Sequence, residues 1–140
     1  MDKFNIARFY EPHRTSYDSA LREIKNGRKT SHWMWYIFPQ LKGLGRSDMS
    51  LYYGINGIEE AKAYMEDELL RAHLEEISAA LLELETSDAH AVFGSPDDKK
   101  LKSSMTLFAV LCGENSVFQQ VLDKFFGGKP DYRTLKELGR

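Results

Sequence analysis

Two stretches of the 140-residue chain concentrate the side chains that can do chemistry. The first, TSHWMWYIFPQLKGLGRS at 30–47, holds both tryptophans, Trp33 and Trp35, together with His32, Lys42, Arg46 and Ser47. The second, SPDDKKLKSS at 95–104, holds Ser95, Asp97, Asp98, Lys100, Lys102, Ser103 and Ser104. Arg46 offers a planar fork of donors suited to phosphate or carboxylate. Gly43 and Gly45 permit positive φ, so neighbouring N–H groups can converge on an anion. The second stretch reads as a helix start, which also attracts anions. Trp33 or Trp35 can stack on a base or sugar ring. His32 and Asp98 are the acid/base candidates. If the two stretches fold face to face, they form a pocket for a small phosphorylated or nucleotide-like ligand.

The same residues have plainer readings. His32 to Phe38 is an unbroken run of large side chains, and core packing explains most of it, at roughly 25 cal/mol per Å² of apolar area buried. Asp97 and Asp98 suit the first turn of a helix as dipole partners. Lys25, Arg28 and Lys29 either compensate a helix C-terminus or form a basic rim that touches RNA, and the second case predicts steeply salt-dependent binding. A purely structural or oligomerising domain predicts tryptophans in the core with no adjoining cavity. Asp48 stands where a third glycine would complete GxGxxG after Gly43 and Gly45, so a dinucleotide fingerprint is excluded. The histidines at 13, 32, 73 and 90 lack ligand spacing, and Cys112 stands alone, so neither a structural metal nor a cofactor is expected.

The formal net charge is −2 and the pI about 6.1, which gives no global attraction to nucleic acid or an anionic membrane. Nucleic acid is therefore a weak candidate partner. The single cysteine rules out an internal disulfide and suits a reducing, cytoplasmic setting. No run approaches the length of a membrane span, and the N-terminus lacks a secretory core.

The elements that must position these groups read as helices. Residues 2–10 predict a short helix stopped by Pro12. Thr15 or Ser16 caps the next, whose inward stripe is Tyr17, Ala20, Leu21 and Ile24, with Gly27 just past its end. Trp33 to Phe38 is the one candidate strand. Asn56 caps a helix to about Met65 with Glu59 and Glu60 in its first turn. Asp67 caps a longer one to about Glu85, in which Leu70, Leu74, Ile77, Leu81 and Leu84 form the clearest seam. His73 lies off that seam and reads as solvated. Asp88 starts a turn of helix through Phe93. Ser95 and Pro96 start a helix to about Cys112, with that thiol on the inward stripe. Ser116 caps a further helix, and Asp131 to Leu138 forms the last. Period-two alternation is missing, so the expectation is an all-α fold of six to eight helices in one domain spanning 1–140.

Three runs carry a family likeness: GRKTSHWMWYIFPQLKGLGRS at 27–47, FGSPDDKKLKSSMTLF at 93–108 and FFGGKPDYRTL at 125–135. Together they resemble the bacterial DUF1810 proteins. The resemblance implies a single, mainly helical domain and supplies no catalytic residue. A remoter likeness to NADAR proteins implies ADP-ribose-related, N-glycosidic hydrolase chemistry.

Overall fold

The leucine seam is the scaffold on which the other helices are laid. The computed structural model describes residues 2–140. Among them run nine α-helices and no strand. These are α1 (Tyr10–Lys25), α2 (Met34–Ile37), α3 (Asp48–Tyr53), α4 (Ile58–Glu66), α5 (Glu68–Leu82), α6 (Ala89–Phe93), α7 (Asp97–Cys112), α8 (Val117–Phe126) and α9 (Tyr132–Glu137). None is long and apolar enough to cross a membrane.

Asp67 caps α5 by accepting from Leu70 N at 3.0 Å, and Leu70, Leu74, Ile77 and Leu81 are fully buried. The seam packs on α1 and α8, and α7 lies across α8, α4, α6 and α9. One continuous apolar cluster joins them. The helix stops at Leu82, short of the expected Glu85, because α8 supplies an end-cap. The Lys124 ammonium donates to the carbonyls of Leu81 at 3.0 Å and Leu82 at 3.1 Å, and also to that of Leu84. Leu81 O also accepts from Leu84 N at 3.3 Å, and the cation charge-matches this end of the helix.

Several expectations need correction. Pro12 does not stop a helix; it is the third residue of α1, where a missing N–H costs nothing. A 3-10 turn, Ile6–Phe9, leads straight into α1, held by the Asp2 carboxylate, which accepts from Ile6 N and Ala7 N. Thr15 therefore sits inside the helix, donating to the Glu11 carbonyl at 3.1 Å instead of capping. Trp33 to Phe38 is a single helical turn, α2, and not a strand. The N-cap of α7 is Pro96, not Ser95. Cys112, expected inside, is exposed as the last residue of α7 before Gly113.

Glu60 is the largest departure. It stands in the first turn of α4, as expected, but is fully buried there. It pairs with Arg8 at 2.6 Å and accepts from the backbone and side-chain nitrogens of Asn56 at 2.9 and 2.8 Å. Asn56 is thus tied back by Glu60, and Gly57 takes the N-cap position of α4. Arg8 also donates to the carbonyls of Tyr52 and Gly54, so one ion pair fastens the chain between α3 and α4 to the N-terminus. Beside it, Leu41 and Ile55 form an isolated parallel bridge, with Lys42 N on Ile55 O at 2.8 Å and Ile55 N on Gln40 O at 2.9 Å. Gly54 permits the approach: a Cβ there would lie 2.7 Å from the Lys42 Cα. This bridge fixes the 38–44 loop, which forms one wall of the site.

Candidate functional site

Glu23 on α1 organises the entry to the tryptophan segment. Its carboxylate accepts from Thr30 N at 2.7 Å, Ser31 N at 2.9 Å, Ser31 Oγ at 2.7 Å and Trp33 Nε1 at 2.9 Å. Burial pushes the Glu23 carboxyl up, but these four donors outweigh it and hold the pKa at about 2. The Trp33 ring is only 1% exposed, so it is a core residue whose indole N–H is satisfied by Glu23. Phe93 packs edge-on against Trp33 and Phe38. Lys29 lies 5.1 Å from the Trp33 ring centroid and pairs with Asp97 at 2.8 Å, while its N–H donates to Val92 O at 2.7 Å. The tryptophan segment and the start of α7 are therefore face to face.

A cleft of about 510 Å³ opens where the 38–44 loop, α7 and α9 meet. Gln40 and Leu44 form one wall. Pro96, Lys99, Lys100, Lys102 and Ser103 form the second, and Asp131 and Arg133 the third. Four of these nine lining residues are cations and one is an acid. Within salt-bridge distance only Lys100 has a carboxylate, that of Asp97 at 3.7 Å. Arg133 donates to Gly43 O at 3.4 Å. Asp131 caps α9 and is locked to α7: its Oδ2 accepts from Thr134 N at 3.1 Å, from Thr134 Oγ1, and from Ser103 Oγ at 3.1 Å. Its own N–H donates to Thr106 Oγ1 at 2.8 Å. The polar face Lys99, Ser103 and Thr106 of α7 thus has a purpose, which is to seat the start of α9 and floor the cleft.

A second, much smaller hollow of about 10 Å³ adjoins the cleft, enough for one water at most. Met34, Trp35, Phe38, Ser50 and Tyr53 line it, and Gln40 and Lys100 line both spaces. The Lys100 ammonium sits 5.6 Å from the Trp35 ring centroid. Trp35 is thus the tryptophan beside the cleft, and Lys100 is the lid over it. A wider depression of about 650 Å³ at Tyr10, Asp67 and Leu69 contains no cation. Among the described residues no group of three or more His, Cys, Asp or Glu is placed to hold a metal.

The family description "Protein of unknown function (DUF1810)" matches residues 3–138. The chain belongs to the DUF1810 family. It is similar to the crystal structure of the conserved hypothetical protein Rv1873 from Mycobacterium tuberculosis, with 42% sequence identity, a TM-score of 0.96 and 99% of each chain covered. No curated protein matches it.

Within this DUF1810 chain the residues singled out by type and spacing separate into two groups. Lys100, Lys102 and Ser103 come together in the cleft, with Trp35 beneath Lys100. The others lie apart from its lining. His32, Lys42, Arg46 and Ser95 are exposed. Ser47 caps α3, accepting from Ser50 N at 3.1 Å. Asp98 accepts from Lys99 N at 2.9 Å and lies 3.5 Å from His90 Nδ1. Ser104 is fully buried and its hydroxyl has no hydrogen-bond partner. Gly45, read as part of an anion nest, lacks the positive φ of Gly43; it leaves room for Ser50, whose Oγ would lie 2.5 Å from a Cβ there. Gln40, Asp131 and Arg133 were not singled out. The available signal was the hydroxyl face of α7, because Ser103 and Thr106 on a helix that becomes central require a polar partner.

Proposed function

We propose that this DUF1810 chain binds a small anionic, phosphorylated ligand in the cleft between the 38–44 loop, α7 and α9. The observation that carries the reading is the convergence of Lys99, Lys100, Lys102 and Arg133 on one concave surface, with a carboxylate in ion-pair reach of Lys100 alone. On a chain of net charge −2, such a local concentration of unpaired cations favours a negative ligand. The volume, about 510 Å³, lies within the ordinary range for small-molecule sites. Trp35 lies beside the cleft, beneath Lys100. The finer form of this reading is hydrolysis of an N-glycosidic bond in a cytoplasmic setting. It needs an acid/base group beside the anion, and Asp131 is the carboxylate that lines the cleft. His32 and Asp98 would act only on a ligand long enough to leave it. The basic rim that suggested an RNA-binding module is depleted by the engagement of Lys29 with Asp97 and Trp33.

The test is calorimetric titration with inorganic phosphate and a panel of phosphorylated metabolites at low salt. Lys102→Glu and Arg133→Glu should each weaken binding by about tenfold or more, since each replaces an attraction by a repulsion. Binding that neither substitution alters would place the ligand elsewhere and overturn the assignment.

A further inference from the structure

We infer that the cleft is built for a phosphorylated sugar or polyol, and not for a bare anion or a nucleotide base. This rests on the anion-binding reading above and narrows its ligand class. Asp131 carries the argument. A carboxylate on the wall of an anion site repels the ligand unless the ligand brings a donor to it. Yet Asp131 lines the cleft beside the lysines. Its Oδ2 is saturated by Thr134 and Ser103, whereas its Oδ1 accepts no hydrogen bond from the described residues. A charged acceptor fixed in place by three bonds to one oxygen, with the other left free, calls for a ligand that donates. Sugar and polyol hydroxyls donate; inorganic phosphate donates only through its own P–OH, and a cleft of about 510 Å³ has room for far more than that ion.

Gln40 points the same way. Its backbone carbonyl is used in the bridge to Ile55, but its side-chain amide makes no hydrogen bond with the described residues. It therefore brings both a donor and an acceptor to the cleft wall, the pair that a hydroxyl can satisfy. The phosphate is met by Lys99, Lys102 and Arg133, which have no carboxylate of the described residues in ion-pair reach. An aromatic base finds no stacking partner: no aromatic side chain lines the cleft, Trp33 is buried, and Lys100 covers Trp35 above a hollow of about 10 Å³. The cleft thus sets cations and hydroxyl-seeking groups side by side, and no aromatic ring lines it.

The experiment is isothermal titration of the full chain with glucose 6-phosphate, ribose 5-phosphate, glycerol 3-phosphate, inorganic phosphate and AMP. It is repeated with Asp131→Asn. Asn is as good an N-cap as Asp, and its single carbonyl oxygen can keep the Ser103 and Thr134 contacts, so the change falls on the free oxygen, which becomes a donor. Thermal unfolding confirms that the variant is folded. At least one sugar or polyol phosphate should bind about tenfold or more tightly than phosphate and AMP, and Asp131→Asn should remove about the preference over phosphate. Equal affinity for phosphate and all three sugar or polyol phosphates, tighter binding of AMP, or a variant that weakens every ligand alike would overturn the ligand class and leave the anion cleft standing. Failure of all five ligands to bind would overturn the cleft assignment itself.

Discussion

The Nδ1 atoms of His13 on α1 and His73 on α5 lie 2.9 Å apart, a hydrogen bond that exists only while the acceptor ring is neutral. His13 Nε2 sits 2.7 Å from the Tyr36 carbonyl and must donate there, so its Nδ1 accepts and His73 Nδ1 donates. Tyr17 stacks on His73 with ring centroids 3.6 Å apart, and its hydroxyl donates to Glu76 at 2.5 Å. His73 was expected in solvent; α1 lies across it instead.

This pair makes stability depend on pH. Burial drives His13 down from 6.5 to about 4, against the opposing pull of the Tyr36 carbonyl, and burial also lowers His73. Both are bases depressed by folding, so the unfolded chain binds more protons between about 6.5 and about 4. Their contribution is complete above that window and is lost as pH falls through it. For His13 the loss is about 3 kcal/mol. Denaturant unfolding measured from pH 7 to pH 4 should show the decline. His13→Gln, which can keep the Tyr36 contact without titrating, should flatten it; an unchanged slope would show that the histidines are not its source.

Glu23→Ala removes the acceptor shared by Thr30, Ser31 and Trp33. The cost should be about 2 kcal/mol, because a buried indole N–H is left without a partner. The pH dependence runs in the same direction as that of the histidines, in a lower window. The carboxyl is depressed from 4.5 to about 2, so its contribution is present above 4.5 and fades as pH falls toward 2. The stability gap between wild type and variant, followed by urea unfolding, should narrow over that range. A gap that stays constant down to pH 2 would mean that the charge is irrelevant and only packing was lost.

How much of this was readable beforehand follows from which forces are local. The α5 seam, its Asp67 cap and the Asp88 and Ser116 caps depend on neighbours a few residues away, and all were legible. Pro12 was misread because a helix entry and a helix stop tolerate the same residue. The burial of Glu60 was not foreseen, and His73 was misread, for another reason. Their partners, Arg8 and His13, are 52 and 60 residues distant, and nothing in the local pattern distinguishes a paired buried charge from a solvated one. The site was half legible for the same cause. Lys100, Lys102 and Ser103 stood out by type at the start of one helix, while Asp131 and Gln40 acquire meaning only when three separate segments meet.

Gly54→Ala should test the wall of the cleft. The added Cβ would press on the Lys42 backbone, and overpacking of this kind costs about 1–3 kcal/mol. Because the strain falls on the bridge that holds Gln40, phosphate affinity should drop together with stability. An alanine variant with normal affinity would show that the 38–44 loop does not shape the site.

Glu60→Gln should be more costly than any exposed charge change. It leaves Arg8 buried without its counter-charge, which typically costs about 3–5 kcal/mol. The double change Arg8→Met with Glu60→Leu should recover part of that loss. No recovery would indicate that the carbonyl bonds of Arg8 matter more than the pair.

Lys124→Met keeps the aliphatic stem and deletes the ammonium that closes α5. A loss of about 1–3 kcal/mol is expected, with amide exchange rising first at the carboxyl end of that helix. Uniform exchange along α5 would argue that the end-cap is dispensable.

The placement of the two indoles gives this protein a reporter of its own. Trp33 is sealed and bonded to Glu23, so its emission should stay constant as long as the chain is folded. Trp35 lies under an ammonium that shares a wall with the cleft, so whatever draws Lys100 away changes the field and the wetting around one fluorophore only. Occupancy can then be followed by intrinsic fluorescence with no label attached, and Trp33→Phe would isolate the responsive signal.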